Sequence, residues 1–328
     1  MRILVTGGTG FTGQALVRRL LAEGHEVVAL DNQPGLFLDA LRASGAQVAI
    51  GSVTDRPLVF ALAKGCQRIY HLAAAFRLVN LSKRDYHAIN VGGTRNLLEA
   101  AALAGVERFV YCSTCGIHGD VRRPPASEDA PVAPADYYQQ TKWEGEIVAK
   151  EFLNRGMWLS IVRPTAIYGP GDPERFLMIY RRVARGSFTF LGPGDAFYHP
   201  VYIDNLVDGL ILAAETDAAR GRAYLIADER YLPIRELVIE VARALDVRLK
   251  VRHLPFWPAW TVAAAVELAC KPLPVEPPIF RRRLDWFRQN RAFDIGRARR
   301  ELGYAPKVDL ETGLRRTGEW YRANGYLG

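Results

Sequence analysis

The sequence predicts an α/β fold built on a doubly wound parallel sheet, and three observations carry it. Short β-branched runs alternate with amphipathic helical stretches through the first half of the chain. Several of those helical stretches stop at a glycine, at Gly24, Gly105 and Gly156. A glycine-rich turn joins the first apolar run directly to the first helix.

Taken in order, strand-like runs fall at 3–6, 26–30, 47–51, 68–72, 108–112 and 159–163. Helical spacing fills the gaps at 14–23, 57–64, 84–104 and 138–155. Right-handed crossovers between such units place helices on both faces of one parallel sheet. After Pro164 the texture changes. The turn-rich segments Gly169-Pro170-Gly171-Asp172-Pro173 and Leu191-Gly192-Pro193-Gly194 flank one helix, and residues 254–278 are rich in proline and aromatics. These shifts divide the chain into a larger sheet-bearing part, residues 1–168 with 201–228 returning to it, and a smaller lobe, residues 169–200 and 229–328.

With 328 residues, 49% of them apolar and 24% charged, the chain can bury a full core and is not a disordered polymer. Cys66, Cys112, Cys115 and Cys270 are too few for a disulfide scaffold, which points to a reducing compartment. No charged leader or cleavage site precedes the apolar run at 2–5, so no signal peptide is expected and the cytoplasm is the expected location. The net charge of +8 comes mostly from arginines scattered along helices, with runs at Arg122-Arg123, Arg181-Arg182, Arg281-Arg282-Arg283 and Arg299-Arg300. We read this as a solvated surface. No zinc-finger spacing, RNA-binding aromatic motif or basic tail accompanies it, so neither a metal nor a nucleic-acid partner is expected. Residues 254–270 are apolar but interrupted by Pro255, Pro258 and Glu267, and too short for a secure membrane span. The plain reading is a helix lining an apolar substrate cavity; contact with a membrane surface, aided by Arg281 to Arg283, is the alternative.

Thr6-Gly7-Gly8-Thr9-Gly10-Phe11-Thr12-Gly13 follows the first strand and opens the first helix. Gly7 permits the tight turn, Gly10 lets the backbone reach a pyrophosphate, and Gly13 allows close packing of helix on strand. The anion then sits on the free N–H groups of the helix start, Phe11 included. Asp31 ends the second strand, where a carboxylate accepts hydrogen bonds from the adenosine ribose hydroxyls and repels a 2′-phosphate. Asn32-Gln33-Pro34 bring no arginine to offset that repulsion. The expected cofactor is therefore NAD rather than NADP.

Tyr138 and Lys142 lie four residues apart, on one helix face. A nearby cation favours phenolate, so Tyr138 can take or return the proton of a carbinol as hydride leaves or arrives. Such a pair gains meaning only from its place after the fifth strand of a chain that already carries the glycine turn.

With these motifs the chain resembles the extended short-chain dehydrogenases/reductases of the NAD-dependent epimerase/dehydratase type. The matches include residues 6–13, Tyr70-His71-Leu72-Ala73-Ala74, Asn90-Val91-Gly92-Gly93-Thr94, Phe109-Val110-Tyr111-Cys112-Ser113-Thr114, the Tyr138/Lys142 pair, Arg163-Pro164, Tyr168-Gly169-Pro170-Gly171-Asp172, Val201-Tyr202-Ile203-Asp204-Asn205 and residues 298–304. The resemblance implies that Thr114 hydrogen-bonds the reacting oxygen, with Ser113 next in register, and that Lys142 also bonds the nicotinamide ribose. It further implies that Ala73, Ala74, Asn90 and Pro164 flank the cofactor. Ser52 and Val53 stand where the family often has an aspartate at the adenine. The resemblance also implies a homodimer, through a four-helix bundle of residues 84–104 and 138–155 from two copies.

Departures from the family narrow the branch. Cys115-Gly116 stand where the sugar dehydratases carry an Asp-Glu pair after the threonine, so water elimination lacks its acid and base. The catalytic cysteine of the GDP-sugar epimerases would fall at Gly116, leaving Cys115 as a packing residue. Thr165-Ala166 replace the asparagine usual in nucleotide-sugar enzymes, and Tyr198-His199-Pro200 supply no arginine for a diphosphate, although Arg175, Arg181 or Arg182 could substitute. His118 replaces a family tyrosine and receives no role. The expected function is hydride transfer between NAD and a carbinol or ketone carbon of an apolar ring substrate. This places the chain near the 3β-hydroxysteroid dehydrogenase and dihydroflavonol-reductase-like branch. A nucleotide-sugar 4-epimerase with retained NAD is the alternative, and a non-catalytic NAD-binding sensor the third reading.

Overall fold

The computed structural model describes residues 1–76, 81–172, 175–270 and 281–327. Its first half runs β1 (Arg2–Thr6), α1 (Phe11–Ala22), β2 (Glu26–Asp31), α2 (Leu38–Ala43), β3 (Gln47–Ile50), α3 (Arg56–Ala63), β4 (Arg68–His71), α4 (Lys83–His87), α5 (Gly93–Ala104), β5 (Arg108–Cys112), α6 (Tyr137–Asn154) and β6 (Leu159–Pro164). All six predicted strands form, within a residue or two of their expected ends. The second half runs β7 (Ala166–Tyr168), α7 (Arg175–Ala184), β8 (Ser187–Leu191), β9 (Phe197–Tyr198), β10 (Pro200–Tyr202), α8 (Ile203–Glu215), β11 (Ala223–Ile226), β12 (Leu232–Pro233), α9 (Ile234–Ala244), β13 (Lys250–Leu254), α10 (Phe256–Cys270), α11 (Arg281–Leu284), α12 (Gly296–Leu302) and α13 (Leu310–Ala323). Pro173, residues 271–278 of the proline-rich stretch, and the side chains of Arg175, Arg282 and Arg283 lie outside the described residues.

Seven strands make one parallel sheet in the order β11-β6-β5-β4-β1-β2-β3. The order reverses between β1 and β4, so the crevice beyond their carboxyl ends is the natural ligand site of such a sheet. Both faces of the sheet are covered. Helices α3, α5 and α6 bury one side against Leu4, Ile69 and Phe109, while α1, α8 and α12 bury the other against Ile3, Val5 and Val110. That two-sided burial is why β1 reads as an unbroken apolar run. Each of Ile3, Leu4 and Val5, fully buried, contributes roughly 1.5–3 kcal/mol.

Two departures from the sequence expectation bear on the site. The helix expected over 84–104 is interrupted by a π-helical turn, Ala88–Gly92, which carries the buried Asn90. Helix α2 was not anticipated, because six residues are too few to show a helical period.

A second core forms around α7, α9, α13 and β8, with Phe176, Tyr180, Phe190, Leu237, Val241, Leu314 and Tyr321 at its centre. The two cores meet at a polar knot. Asp228, just past β11, accepts hydrogen bonds from the Tyr202 N–H (2.9 Å) and the Asn205 amide (2.7 Å). Asn205 in turn accepts from the main chain of Lys307 (2.9 Å) and Val308 (3.0 Å). Among the described residues, no helix is long and apolar enough to cross a membrane.

Candidate active site

The glycine turn after β1 has the shape that a phosphate-binding loop needs. Gly7 sits at φ +70°, and a Cβ there would lie 2.9 Å from the Ala73 nitrogen, so only glycine fits both the conformation and the space. A Cβ on Gly13 would lie 1.9 Å from the Gly7 carbonyl oxygen, which explains how α1 packs so tightly on the turn. Gly10, the residue before α1, would meet only the Gly7 oxygen at 3.3 Å and Asp31 at 4.0 Å, so its outer face is open. No side chain caps α1 and no acid stands in its first turn, which leaves the helix start for an anion.

Asp31 lies at the rim of this turn, half-buried. Its Oδ2 accepts from the Thr9 N–H (3.0 Å) and its Oδ1 from the Asn32 N–H (2.9 Å). The carboxylate is thereby held rigid, with lone pairs left for ribose hydroxyls. Ser52 follows β3 and pairs with the Thr54 hydroxyl at 2.7 Å; Val53 beside it is buried against Gly93. Phe11 opens α1, and its ring packs on the second core near Gly171.

Ala73 and Ala74 follow β4, and a chain of hydrogen bonds fixes them. The Ala73 N–H donates to Thr6 Oγ1 (3.2 Å), which pairs with His71 Nδ1 (2.7 Å). His71 Nε2 pairs with Thr94 Oγ1 (3.0 Å), whose proton goes to the Asn90 carbonyl (2.6 Å). The Thr94 hydroxyl therefore accepts from His71, which places the imidazole proton on Nε2 and makes Nδ1 an acceptor. Burial holds this histidine well below its usual range, and neutral. Asn90, expected at the cofactor, stands behind this loop. It is 1% exposed, and its amide is taken up by Ala75 (2.7 and 3.2 Å) and Thr141 (2.9 Å). The π-helical turn puts it there, and its place is to brace the 73–75 loop against α6.

Asp136 starts α6 by accepting from the Gln139 N–H (2.9 Å), and Gln139 reaches back to the Ala135 N–H (2.6 Å). This reciprocal cap fixes the first turn, which contains Tyr138. Tyr138 is half-buried, with the Phe76 ring edge-on at 4.8 Å. One turn on, Lys142 is 1% exposed and its Nζ stands 4.2 Å above the Tyr111 ring. No described residue accepts a hydrogen bond from that ammonium. Burial pushes its pKa down to about 8, against the opposing pull of Cys112 and Glu146. A buried ammonium lacking an acceptor is a ready place for ribose hydroxyls, and it is the clearest sign that the site fits a dinucleotide.

Thr114 follows β5. Its Oγ1 accepts from the Gly116 N–H (3.0 Å) and keeps a proton to donate. A Cβ on Gly116 would fall 3.1 Å from the Gln139 side chain, so the segment after Thr114 lies directly on the turn that holds Tyr138. Ser113, on the alternate face, is buried with its hydroxyl unpaired among the described residues, as is Thr165 beyond Pro164. Cys112 and Cys115, three apart in sequence, are buried and not joined in a disulfide, and burial raises the Cys112 thiol to about 11. Pro164 ends β6, beside Ile226 of β11.

The structure also shows what lies beneath the site. Arg163 grips Glu146 with Nε–Oε1 at 2.9 Å and Nη2–Oε2 at 2.7 Å, and donates to the Glu128 carbonyl at 2.9 Å. Its Nη1 also points at His118 Nε2 (3.3 Å), so the His118 proton sits on Nδ1, facing the Pro131 carbonyl (3.2 Å). His118 is therefore a neutral acceptor in a buried network. The sequence held a signal for this: Tyr138, Lys142 and Glu146 repeat every four residues on one face, and a carboxylate on a buried face requires a partner.

The family model for the NAD dependent epimerase/dehydratase family matches residues 3–227. A 3 beta-hydroxysteroid dehydrogenase/Delta 5-->4-isomerase of Mycobacterium tuberculosis is 33% identical over 334 residues, covering 95% of this chain and 88% of the relative. A 2-alkyl-3-oxoalkanoate reductase of Stenotrophomonas maltophilia is 31% identical over 327 residues, covering 96% and 98%. Among solved structures, the dTDP-glucose 4,6-dehydratase DesIV of Streptomyces venezuelae, with NAD bound, superposes with a TM-score of 0.81 at 28% identity, covering 100% of this chain and 99% of that one. The chain thus belongs to the NAD-dependent epimerase/dehydratase family, and is an NAD-dependent enzyme of the extended short-chain dehydrogenase/reductase type.

Proposed function

We propose that this enzyme oxidises a carbinol, or reduces the matching ketone, on an apolar ring skeleton, with Tyr138 as acid/base. The observation that carries the reading is the buried Lys142 ammonium, without a described acceptor, one helical turn from Tyr138. NAD, when bound, supplies the hydride acceptor or donor. The backbone at Gly7, Gly10, Phe11 and Gly13 holds its pyrophosphate, and Asp31 the adenosine ribose. Ser52 and Val53 border the adenine, while Ala73, Ala74 and Pro164 flank the rest. Lys142 bonds the second ribose and stabilises phenolate at Tyr138. Thr114 donates to the reacting oxygen, and Tyr138 takes or returns its proton. Asn90 acts as a positioning residue through the 73–75 loop.

Two features favour an apolar substrate over a sugar diphosphate. The relatives include enzymes named for a hydroxysteroid and an alkyl-oxoalkanoate, both carrying the reacting oxygen on an apolar skeleton. His199 stands where a diphosphate-binding arginine would help. Both its ring nitrogens are engaged, by the Asp228 carbonyl (3.0 Å) and the Phe293 N–H (3.3 Å). Burial pushes its pKa down to about 4, so it offers no positive charge.

In this reading residues 1–168 with 201–228 hold the cofactor, and residues 169–200 and 229–328 cover the substrate. The four cysteines, none of them in a disulfide, suit a reducing cytoplasm. The exposed Leu103 and Ile147, on α5 and α6, suit a homodimer built on those helices. A monomer by light scattering would remove that last element.

The test is turnover of a panel of steroid and other cyclic alcohols and ketones with NAD(H), by the native enzyme and by Tyr138→Phe. A drop in kcat/KM of roughly 100- to 10,000-fold, with NAD affinity retained, is expected. Unchanged turnover in Tyr138→Phe would sink the acid/base assignment. Co-purified NAD together with thermal stabilisation by UDP-sugars, but not by sterols, would replace the reading with a 4-epimerase.

A further inference from the structure

Helix α10 is built inside out. Of its fifteen residues (Phe256–Cys270), Ala263 alone is buried. The residues turned to solvent are Trp257, Pro258, Thr261, Val262, Ala265, Leu268 and Ala269, spaced along one face and without a charge among them. Trp257 is 60% exposed, Val262 56% and Leu268 68%. Its one charged residue, Glu267, is engaged instead by Arg281, at 2.8 Å. A surface helix of a globular protein normally presents the opposite arrangement, with its polar face outward. Val251 and Leu254 of the preceding strand β13 are exposed as well.

Cations rim this face. The Arg281 guanidinium lies 5.3 Å from the Trp260 ring, and that of Arg288 lies 5.8 Å from both Phe256 and Trp257. Residues 250–270 and 281–288 hold six lysines and arginines against two carboxylates, Glu267 and Asp285, a surplus of four within a chain of net charge +8. Both carboxylates are already paired, with Arg281 and Arg288.

We propose that α10 docks in the plane of a lipid bilayer bearing anionic headgroups. Trp257, Val262 and Leu268 enter the acyl boundary, and Lys250, Arg252, Arg281 and Arg288 meet the phosphates. An apolar, tryptophan-bearing face edged by basic residues is the composition that binds such an interface. A small-molecule pocket would be concave, whereas this is the outward side of a helix. A twofold contact with a second copy would set this basic rim against itself.

The experiment is co-sedimentation of the full chain with phosphatidylcholine vesicles, alone and with phosphatidylglycerol added. Binding to the mixed vesicles, weakened by salt, is expected. Brominated acyl chains in those vesicles should quench the tryptophan fluorescence, a readout that needs no variant. Trp257→Ser with Leu268→Ser should weaken binding at least tenfold, and Arg288→Gln about fivefold, with the thermal unfolding of the free protein and its NAD affinity unchanged. No binding to either vesicle would overturn the proposal, as would equal binding with and without the anionic lipid. A concentration-dependent dimer abolished by Leu268→Ser, without vesicle binding, would assign the face to a second copy instead.

Discussion

Arg163 and Glu146 form a buried, two-pronged ion pair, 2.9 and 2.7 Å, between β6 and α6. The arginine also engages the Glu128 carbonyl and His118. It thereby ties α6, which carries Tyr138 and Lys142, to the short helical turn that follows Thr114. The catalytic candidates come from separate segments, and this pair helps to set their spacing.

Removing one partner leaves the other charge buried alone. Glu146→Gln is therefore expected to destabilise the fold by about 3–5 kcal/mol. A double-mutant cycle with Arg163→Met, read by chemical denaturation, should show the double variant losing well under the sum of the singles. Additive losses would mean the two residues act independently.

The Lys142 ammonium is displaced from 10.5 to about 8 by burial. Below about pH 8 the folded protein carries the full cost of that buried charge. Between about 8 and 10.5 the folded state has released a proton that the unfolded chain still binds, so this residue's contribution to stability rises with pH. NAD-free Lys142→Met should be the more stable protein at pH 7 and should lack that rise, while binding NAD more weakly. Denaturation curves from pH 7 to 10 check the first expectation, and cofactor titration the second.

Asp31 presents a carboxylate already fixed by the Thr9 and Asn32 amides. Asp31→Asn keeps an acceptor for the loop while removing the charge that repels a 2′-phosphate. The ratio of kcat/KM for NADH over NADPH is expected to fall about tenfold or more. An unchanged ratio would place cofactor selection elsewhere.

Asp228 is 3% exposed, and burial raises its carboxyl to about 7. Its second oxygen faces the Tyr168 hydroxyl without a well-formed hydrogen bond. Between about pH 4 and 7 the folded state keeps a proton that the unfolded chain has lost. Stability from this group therefore falls as pH rises across that window, and levels off above 7. Three pH units correspond to a cost on the order of 4 kcal/mol. Asp228→Asn retains the acceptor for Tyr202 and Asn205 and brings a donor to Tyr168. It should be more stable than the native chain at pH 8, and the two should converge toward pH 5 in denaturation experiments.

The sequence signals of the candidate site are local. The glycine turn is written in eight consecutive residues, Asp31 marks the end of a strand, and Tyr138 and Lys142 share a face through a four-residue step. What the structure adds involves distant partners. The motif at Asn90 is legible, but that a π-helical turn aims its amide at Ala75 and Thr141 is not. His118 had no reading until Arg163 was found 3.3 Å away. Apolar composition at 254–270 suggests a cavity lining, and the structure turns one whole face of the helix there outward.

By itself, then, the sequence determined the alternating strands and helices, the dinucleotide turn and the phenol–ammonium pair, because backbone conformation and helical spacing act over a few residues. Only the tertiary structure decided which charges are buried together, which amides are already spent on the fold, and which face of α10 meets solvent. Those outcomes depend on what the crossovers of the sheet bring opposite each side chain. A residue's periodicity can name its face but not its neighbour.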